Sequence, residues 1–159
     1  MVNVVPADPN LHSEAIYSLV VELADFEDTP DRPQQSAEQI KQDLLAKKFG
    51  GLVALDDDQK TVIGHALYYY AYSTKEGQYI FLEDLYVSEK HRRKGVGAAL
   101  WRNLVLKAKK ENLPRIQWIV LEWNTPAVEF YQKMGGVDWR KEKGWVPYRL
   151  NKDKIQEFQ

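Results

Sequence analysis

The sequence predicts a mixed α/β or α+β fold, in which a central, mostly antiparallel sheet gains a parallel pair late and is flanked by helices. Two observations predict it. Residues 52–87 contain runs rich in Tyr, Phe, Val and Ile separated by turns, the pattern of an antiparallel meander. After residue 88 helical and strand patterns alternate, which is typical of mixed folds. The 159 residues fit one compact core, so residues 1–159 are predicted to form a single domain.

The N-terminal residues carry signals for a strand and a helix. Residues 2–5 are rich in valine and are followed by Pro6. Asp8 is a typical N-cap, and Pro9 occupies the first helical position. Apolar residues at helical spacing continue this helix to about Phe26.

A loop and a second helix follow. Residues 28–33 hold two prolines and three charged residues, so they are predicted to be a loop. Ser36 is predicted to begin a helix, because Gln39 three residues later completes a capping box. The pair Gly50-Gly51 is predicted to end that helix.

The remaining elements follow in the same way. A polar, glycine-containing stretch separates the meander from a helix with one apolar face, and glycines end a later short helix. Strands are predicted at 52–55, 62–72, 78–87, 115–121 and 145–150, and helices from about 95 onward and at 126–134, followed by a polar C-terminal tail.

Composition excludes several classes of protein. There are 22 Lys and Arg against 23 Asp and Glu, and the resulting net charge of −1 argues against nucleic-acid binding through a broad cationic surface. The chain has no cysteine, which excludes disulfides, thiolate metal sites and a cysteine nucleophile. The three histidines lack metal-ligand spacing, so no metal is predicted. No apolar stretch is long enough for a membrane span, and a cytoplasmic (cytosolic or nuclear) protein is predicted.

The most informative segment is residues 82–97, where a strand leads into a basic loop, two glycines and a helix N-terminus. Glycine lets the backbone approach a ligand, and the first helical N–H groups point outward toward an anion. A dinucleotide fingerprint requires a third glycine where Leu100 stands, and a phosphate-binding loop of the Walker type requires four residues between its glycines. A pyrophosphate from another ligand is therefore favoured.

The spacing Arg92-x-x-Gly95-x-Gly97 resembles the acetyl-coenzyme A signature of the GCN5-related N-acetyltransferase (GNAT) superfamily, and the order of elements over nearly the whole chain is similar to that fold. The resemblance implies acetyl-CoA as cofactor. It implies pantetheine contacts from the backbone of the preceding strand, and pyrophosphate contacts from the loop and the helix start. The implied residues are Leu85, Tyr86 and Val87 in the strand, and Arg92, Arg93, Lys94, Gly95, Val96 and Gly97 in the loop.

Further motifs resemble the diamine (spermidine/spermine) and thialysine acetyltransferases within that superfamily: residues 22–27, 80–87, 122–124, 130–131 and 142–145. The resemblance implies Glu83 as catalytic carboxylate and Tyr131 as the acid that protonates the leaving thiolate. It also implies a homodimer with late strands at its interface. Asn124 either contacts the cofactor or caps the helix that follows it. Amine recognition is assigned to acidic and aromatic side chains, namely Glu27, Glu83, Asp84 and Trp145.

The chemistry of amine acetylation agrees with these residue types. An alkylammonium has a pKa near 10.4, so only about one molecule in 10³ is nucleophilic at pH 7. A carboxylate attracts the cation and accepts its proton, directly or through water. Neighbours on a strand point to opposite faces, so without a bulge only one of Glu83 and Asp84 faces a given site. The alternatives are a protein lysine or N-terminal acetyltransferase and a non-catalytic CoA sensor.

Overall fold

The computed structural model describes residues 2–28 and 33–157. Residues 29–32 of the predicted loop lie outside the described residues. The chain divides into two compact units: an N-terminal unit up to Ile119 and a C-terminal unit from Val120.

The N-terminal unit is a five-stranded sheet with helices, and it confirms the predicted fold class. The strands lie in the order β1-β2-β3-β4-β5; every neighbouring pair is antiparallel except β4 and β5, which are parallel. The elements are β1 (Asn3–Pro6), α1 (Pro9–Phe26), α2 (Ala37–Leu45), β2 (Gly50–Leu55), β3 (Val62–Ser73), β4 (Gly77–Val87), a 3₁₀ turn (Glu89–His91), α3 (Val96–Lys110) and β5 (Ile116–Gln117).

Both predicted helix starts are confirmed by their caps. The Asp8 carboxylate accepts hydrogen bonds from the backbone N–H groups of Asn10 and Leu11. The Ser36 hydroxyl oxygen accepts one from the N–H of Gln39 at 3.1 Å. The Gln39 side-chain amide donates to Asp43 at 2.9 Å. The structure therefore shows the Ser36 bond of the capping box, whereas the Gln39 side chain bonds within the helix.

The prediction that Gly50-Gly51 ends α2 is wrong, because the helix ends at Leu45 and both glycines belong to β2. Their role is close packing. A Cβ on Gly50 would lie 2.8 Å from the Tyr68 ring and its hydroxyl, well inside van der Waals contact. The absent side chains therefore admit the aromatic ring of the neighbouring strand.

Helices cover both faces of the sheet. On one face, apolar side chains of α1 and α2 pack with β2 and β3 in a cluster of buried residues: Ile16, Ile40, Leu44, Val53, Leu55 and Leu67. On the other face, Leu100 of α3 packs against β3, since a Cβ on Gly64 would lie 3.3 Å from it. Because successive residues of a strand alternate in face, His65 and its partner Tyr86 point toward α1.

The fifth strand is shorter than the predicted 115–121. It pairs with β4 only at Ile80 and Phe81. A bulge in β4 follows immediately, where the register with β3 shifts. Bulges bend a strand and increase its local twist, and here the bend ends the parallel pairing.

Over residues 120–157, the described part of the C-terminal unit, there are three short helices: α4 (Thr125–Lys133), α5 (Trp139–Lys143) and α6 (Lys152–Glu157). The first confirms the helix predicted at 126–134. The strand predicted at 145–150 is wrong: those residues have no strand pairing, and Pro147 lacks the N–H that a paired position needs. Helix α5 was missed, although Asp138 caps it and Gly144 ends it with φ +72°. Helix α6 was also missed, since residues after 150 were predicted to be only a polar tail. None of the helices among the described residues is long and apolar enough to cross a membrane.

One ionisable side chain lies in the centre of the N-terminal unit. His65 is completely buried, and neither of its ring nitrogens has a hydrogen-bond partner among the described residues. Burial lowers the pKa of His65 from 6.5 to about 3, so the ring is neutral in the folded protein. In the unfolded chain the same ring protonates near pH 6.5.

This difference predicts an acid-sensitive fold. The stability tied to neutral His65 is complete above pH 6.5 and is lost as pH falls toward 3, at about 1.4 kcal/mol per pH unit. Wild-type protein is expected to lose about 2 kcal/mol of this contribution by pH 5, and His65→Leu to lose none of it. Urea unfolding of both proteins at pH 5 and pH 8 measures the difference. An equal pH dependence in the two proteins would contradict the prediction.

Candidate active site

A β-bulge brings the two predicted carboxylates to one side of the sheet. Leu67 of β3 pairs with Asp84, but the next residue, Tyr68, pairs with Leu82, so Glu83 is the extra residue of β4. The extra residue breaks the alternation of faces, and Glu83 and Asp84 both line one pocket. The condition set by the sequence, that a bulge is needed for both to face one site, is met.

The pocket has a volume of about 300 Å³ and lies among α1, α2 and the bulged pair of strands. Among the described residues, its lining combines aromatic and aliphatic side chains with three carboxylates, a composition suited to a small organic cation. The lining residues are Val20, Pro33, Gln35, Ile40, Asp43, Phe49, Leu67, Tyr68, Tyr69, Glu83 and Asp84.

The carboxylates repel one another electrostatically. Burial, followed by the charges of Glu83 and Glu27, raises the pKa of Asp84 from 3.8 to about 7. Burial also raises the pKa of Glu27, and the pKa of Tyr69 is raised first by burial and then by Glu83. Three of the four predicted substrate contacts (Glu27, Glu83 and Asp84) therefore act on each other within the N-terminal unit. A bound cation would relieve this repulsion.

The backbone of β4 beyond the bulge offers hydrogen-bonding groups away from β3. Ser88 N–H donates to the Ile63 carbonyl at 3.0 Å, on the β3 side. Antiparallel pairing alternates, so Tyr86 also faces β3 whereas Leu85 and Val87 direct their N–H and C=O groups toward the opposite edge. Strand β5 pairs with β4 only before the bulge. Leu85 and Val87 thus present backbone groups along that edge, whereas the Tyr86 backbone pairs with β3.

The loop before α3 has the geometry of an anion site. Arg93 and Gly95 both have left-handed backbones, with φ of +64° and +80°. A Cβ on Gly95 would meet nothing within 4 Å, so the backbone there is open to a ligand. The first helical bond runs from Ala99 N–H to the Gly95 carbonyl, which leaves the amides of Val96 and Gly97 ahead of it without a helical acceptor. Arg93 and Lys94 are exposed beside them.

Arg92 behaves differently from its neighbours in the loop. Its guanidinium donates from Nε to the Val87 carbonyl and from Nη2 to the Tyr86 hydroxyl, each at 3.0 Å. It also lies over the rings of Phe26 and Tyr86, 4.8 Å and 5.2 Å from their centroids. This side chain is anchored to α1 and β4.

The other predicted site residues belong to the C-terminal unit. The Asn124 side-chain oxygen accepts from the Ala127 N–H at 3.3 Å, so the capping alternative is confirmed. Tyr131 lies on α4 with its ring edge-to-face against Phe130, at a centroid distance of 5.3 Å. Trp145 follows the left-handed Gly144, and its side chain is exposed.

Sequence analysis did not assign Tyr69 to the site, although burial and then the charge of Glu83 raise the pKa of its phenol. The alternation of side chains along β3 could have indicated it, because Tyr69 lies two residues after Leu67 and so on the same face. Among residues 2–28 and 33–157, no three His, Asp or Glu side chains are grouped as metal ligands would be.

The fold is that of the acetyltransferases. The family described as the acetyltransferase (GNAT) family matches residues 14–136, so the chain belongs to that family. It is an N-acetyltransferase, an enzyme that transfers an acetyl group to an amine.

Particular relatives agree with this assignment. The chain is 35% identical to the thialysine N-epsilon-acetyltransferase of Caenorhabditis elegans over 92% of its own length and 91% of the relative's. It is 30% identical to the spermidine/spermine N(1)-acetyltransferase-like protein 1 of Homo sapiens over 91% of its own length and 22% of the relative's. A crystal structure of a probable acetyltransferase superposes with a TM-score of 0.80 at 22% identity, covering 94% of this chain and 97% of the other.

Proposed function

We propose that this enzyme acetylates a primary amine of a small cationic substrate, such as thialysine, a diamine or polyamine, or a lysine-like molecule, with acetyl-CoA as the acetyl donor. The observation that carries the proposal is the bulge at Glu83, which gives one pocket two adjacent carboxylates, one of which, Asp84, is also under the charge of Glu27. The names of the two relatives support an amine of this class.

The residues present fit coenzyme A. The edge of β4 offers the backbone of Leu85 and the N–H of Val87 to an extended amide-containing arm, while Arg92 bonds to the Val87 carbonyl. The open backbone at Gly95 and the amides of Val96 and Gly97 suit a diphosphate, aided by the N-terminal end of the α3 dipole and the exposed charges of Arg93 and Lys94. When bound, acetyl-CoA supplies the activated thioester.

The protein's own part in the reaction is to deliver an uncharged amine and to protonate the thiolate. Glu83 attracts the ammonium and, with Asp84, accepts its proton. The pKa of Asp84, about 7, suits proton acceptance at neutral pH better than that of an ordinary carboxylate. The amine nitrogen then forms its bond to the acetyl carbon as the carbon–sulfur bond breaks. Tyr131 donates its phenolic proton to the sulfur, and the second proton, which the nitrogen releases as the amide forms, returns to the phenolate directly or through solvent.

Three broader expectations belong to the same proposal. Residues 1–159 act as one N-acetyltransferase domain, the enzyme is a homodimer, and it works in the cytoplasm. Support for the homodimer is the resemblance to the diamine acetyltransferases. Light scattering of the purified chain tests it, and a monomeric mass would contradict it.

The test of the function measures CoA binding by calorimetry and thiol release from acetyl-CoA with a panel of diamines, polyamines, thialysine, lysine and a lysine-containing peptide. Release with the small amines supports the proposal. Release with the peptide alone would favour a protein acetyltransferase, and binding without release a CoA sensor.

A matched pair of glycine variants tests the loop. Gly95 and Gly77 both have left-handed backbones, φ +80° and +85°, with nothing near their missing Cβ atoms. Alanine in that region costs about 1–2 kcal/mol at either site. Gly95→Ala is expected to weaken CoA binding by about 5–30-fold as the loop relaxes, using 1.4 kcal/mol per tenfold. Gly77→Ala, at the first residue of β4, should leave CoA binding unchanged. Equal CoA affinities of the two variants would contradict a diphosphate site at residues 92–97.

A further inference from the structure

The side chain of Arg92 joins two regions that the proposed function assigns to different ligands. Its backbone begins the loop that holds the diphosphate, whereas its guanidinium turns back into the protein. There it bonds to the Val87 carbonyl and the Tyr86 hydroxyl and stacks over Phe26, the last residue of α1. A guanidinium has a planar set of donors, so it makes these contacts together, which an ammonium cannot do.

The contacts continue into α1. The Tyr86 hydroxyl donates to the Glu22 carboxylate at 3.4 Å, one turn before Phe26. Glu27, which follows Phe26 directly, is the carboxylate that helps to raise the pKa of Asp84 in the amine pocket. The C-terminal turn of α1 is therefore bound to Arg92 at Phe26 and, through Tyr86, at Glu22.

The Val87 carbonyl provides a third connection. It lies on the edge of β4 that faces away from β3, the edge to which the pantetheine arm is assigned, and Arg92 Nε occupies it. These contacts connect the loop to the end of β4 and to the end of α1.

We propose that Arg92 is a positioning residue that couples the CoA loop to the amine pocket, so that each ligand strengthens the binding of the other. The inference rests on the proposed function. The two regions have two distinct ligands and a shared, contiguous set of contacts, which is the requirement for energetic coupling. Coupling is reciprocal, and measured values are commonly about 5–150-fold in affinity.

The experiment measures the dissociation constant of CoA by calorimetry, with and without a saturating amine that the wild-type enzyme acetylates. In wild-type protein the amine is expected to tighten CoA binding at least about 5-fold. Arg92→Lys keeps the charge but not the planar donors, so it is expected to reduce this ratio to below about 2. Its KM for the amine should rise, and its affinity for CoA alone should change little. Arg102→Lys, the same change at an exposed residue of α3, should leave the ratio intact.

Tyr86→Phe is the second variant, because it keeps the ring and removes only the hydroxyl that joins Glu22 to Arg92. It is expected to lower the ratio partly, and thermal unfolding verifies that each variant is folded. The inference is overturned if the wild-type ratio is near 1, if Arg92→Lys retains the full ratio, or if it weakens CoA binding equally with and without amine. If wild-type turnover is present, each of these results contradicts only the coupling and not the proposed function. A wild-type protein that binds no CoA would refute the proposed function.

Discussion

Asp84→Asn is expected to lower kcat/KM for the amine by about 10²–10³-fold, a usual range for the loss of a positioned proton acceptor. The change should also remove a pH dependence. In the free enzyme, burial and the charges of Glu83 and Glu27 place the pKa of Asp84 at about 7. Wild-type kcat/KM is therefore expected to rise with pH through about 7 as this carboxyl becomes able to accept a proton. The pH profile of the variant should show no inflection in that range.

Glu83→Gln tests whether the inflection near pH 7 belongs to Asp84 or follows from the removal of any carboxylate in the pocket. The charge of Glu83 raises the pKa of Asp84, so its removal should move the inflection below pH 7 while activity falls. Asp57→Asn, at an exposed residue in the β2–β3 turn, is the matched control and should change neither rate nor profile. An inflection near pH 7 that persists in Asp84→Asn would assign it to another group.

The same substitution is expected to stabilise the protein. A carboxyl whose folded pKa is raised contributes stability below its unfolded pKa of 3.8 and loses it as pH rises through about 7. Ionised Asp84 thus destabilises the folded state by up to about 4 kcal/mol above pH 7, from three pH units at about 1.4 kcal/mol each. Asp84→Asn should raise the free energy of unfolding at pH 8 and have little effect at pH 4.

Asp84 and His65 act on stability in opposite directions as pH changes. From pH 4 to 6.5, the contribution of His65 increases and that of Asp84 decreases, so the wild-type dependence on pH is partly cancelled. Each single variant reveals the contribution of the other group. The reduction in the free energy of unfolding caused by ionised Asp84 is consistent with a catalytic role, since functional sites often reduce stability.

Local signals in the sequence predicted the helices well, because their physical causes are local. Asp8 and Ser36 cap their helices through bonds to residues two or three positions away. The bulge at Glu83 could not be predicted in the same way. It is a property of the register between β3 and β4, and register depends on packing over the whole sheet. The sequence showed two adjacent carboxylates in an apolar strand, but only the register places both in one pocket.

Strand lengths and side-chain directions were the less predictable features. A strand extends only as far as its partner, so residues 115–121 form a two-residue strand and residues 145–150 form none. The signature beginning at Arg92 indicated a diphosphate loop, and the backbone at Gly95 is left-handed and open to a ligand. The direction of the Arg92 side chain depends on Phe26, some 66 positions earlier in the sequence, and no spacing rule contains that information.

Tyr131→Phe is expected to lower kcat by about 10²–10³-fold and to leave the dissociation constant of CoA within about 2-fold of the wild-type value. A thiol has a pKa near 8.5, so a thiolate departs moderately well without assistance, and a measurable residual rate should remain. The substitution removes one hydroxyl and preserves the ring that packs against Phe130. Single-turnover thiol release and calorimetry with CoA separate the chemical step from binding.

Tyr72→Phe removes a hydroxyl from a highly exposed ring of β3 and is the matched control. It should leave both constants unchanged. If Tyr131 serves only to pack α4, its replacement by phenylalanine would also leave kcat unchanged, because the aromatic contact persists. A loss of CoA affinity at unchanged kcat would instead make the hydroxyl a binding contact, since the loss of an interaction that is equally strong before and during the reaction lowers affinity without slowing the chemical step. Only a fall in kcat at constant CoA affinity identifies Tyr131 as the acid.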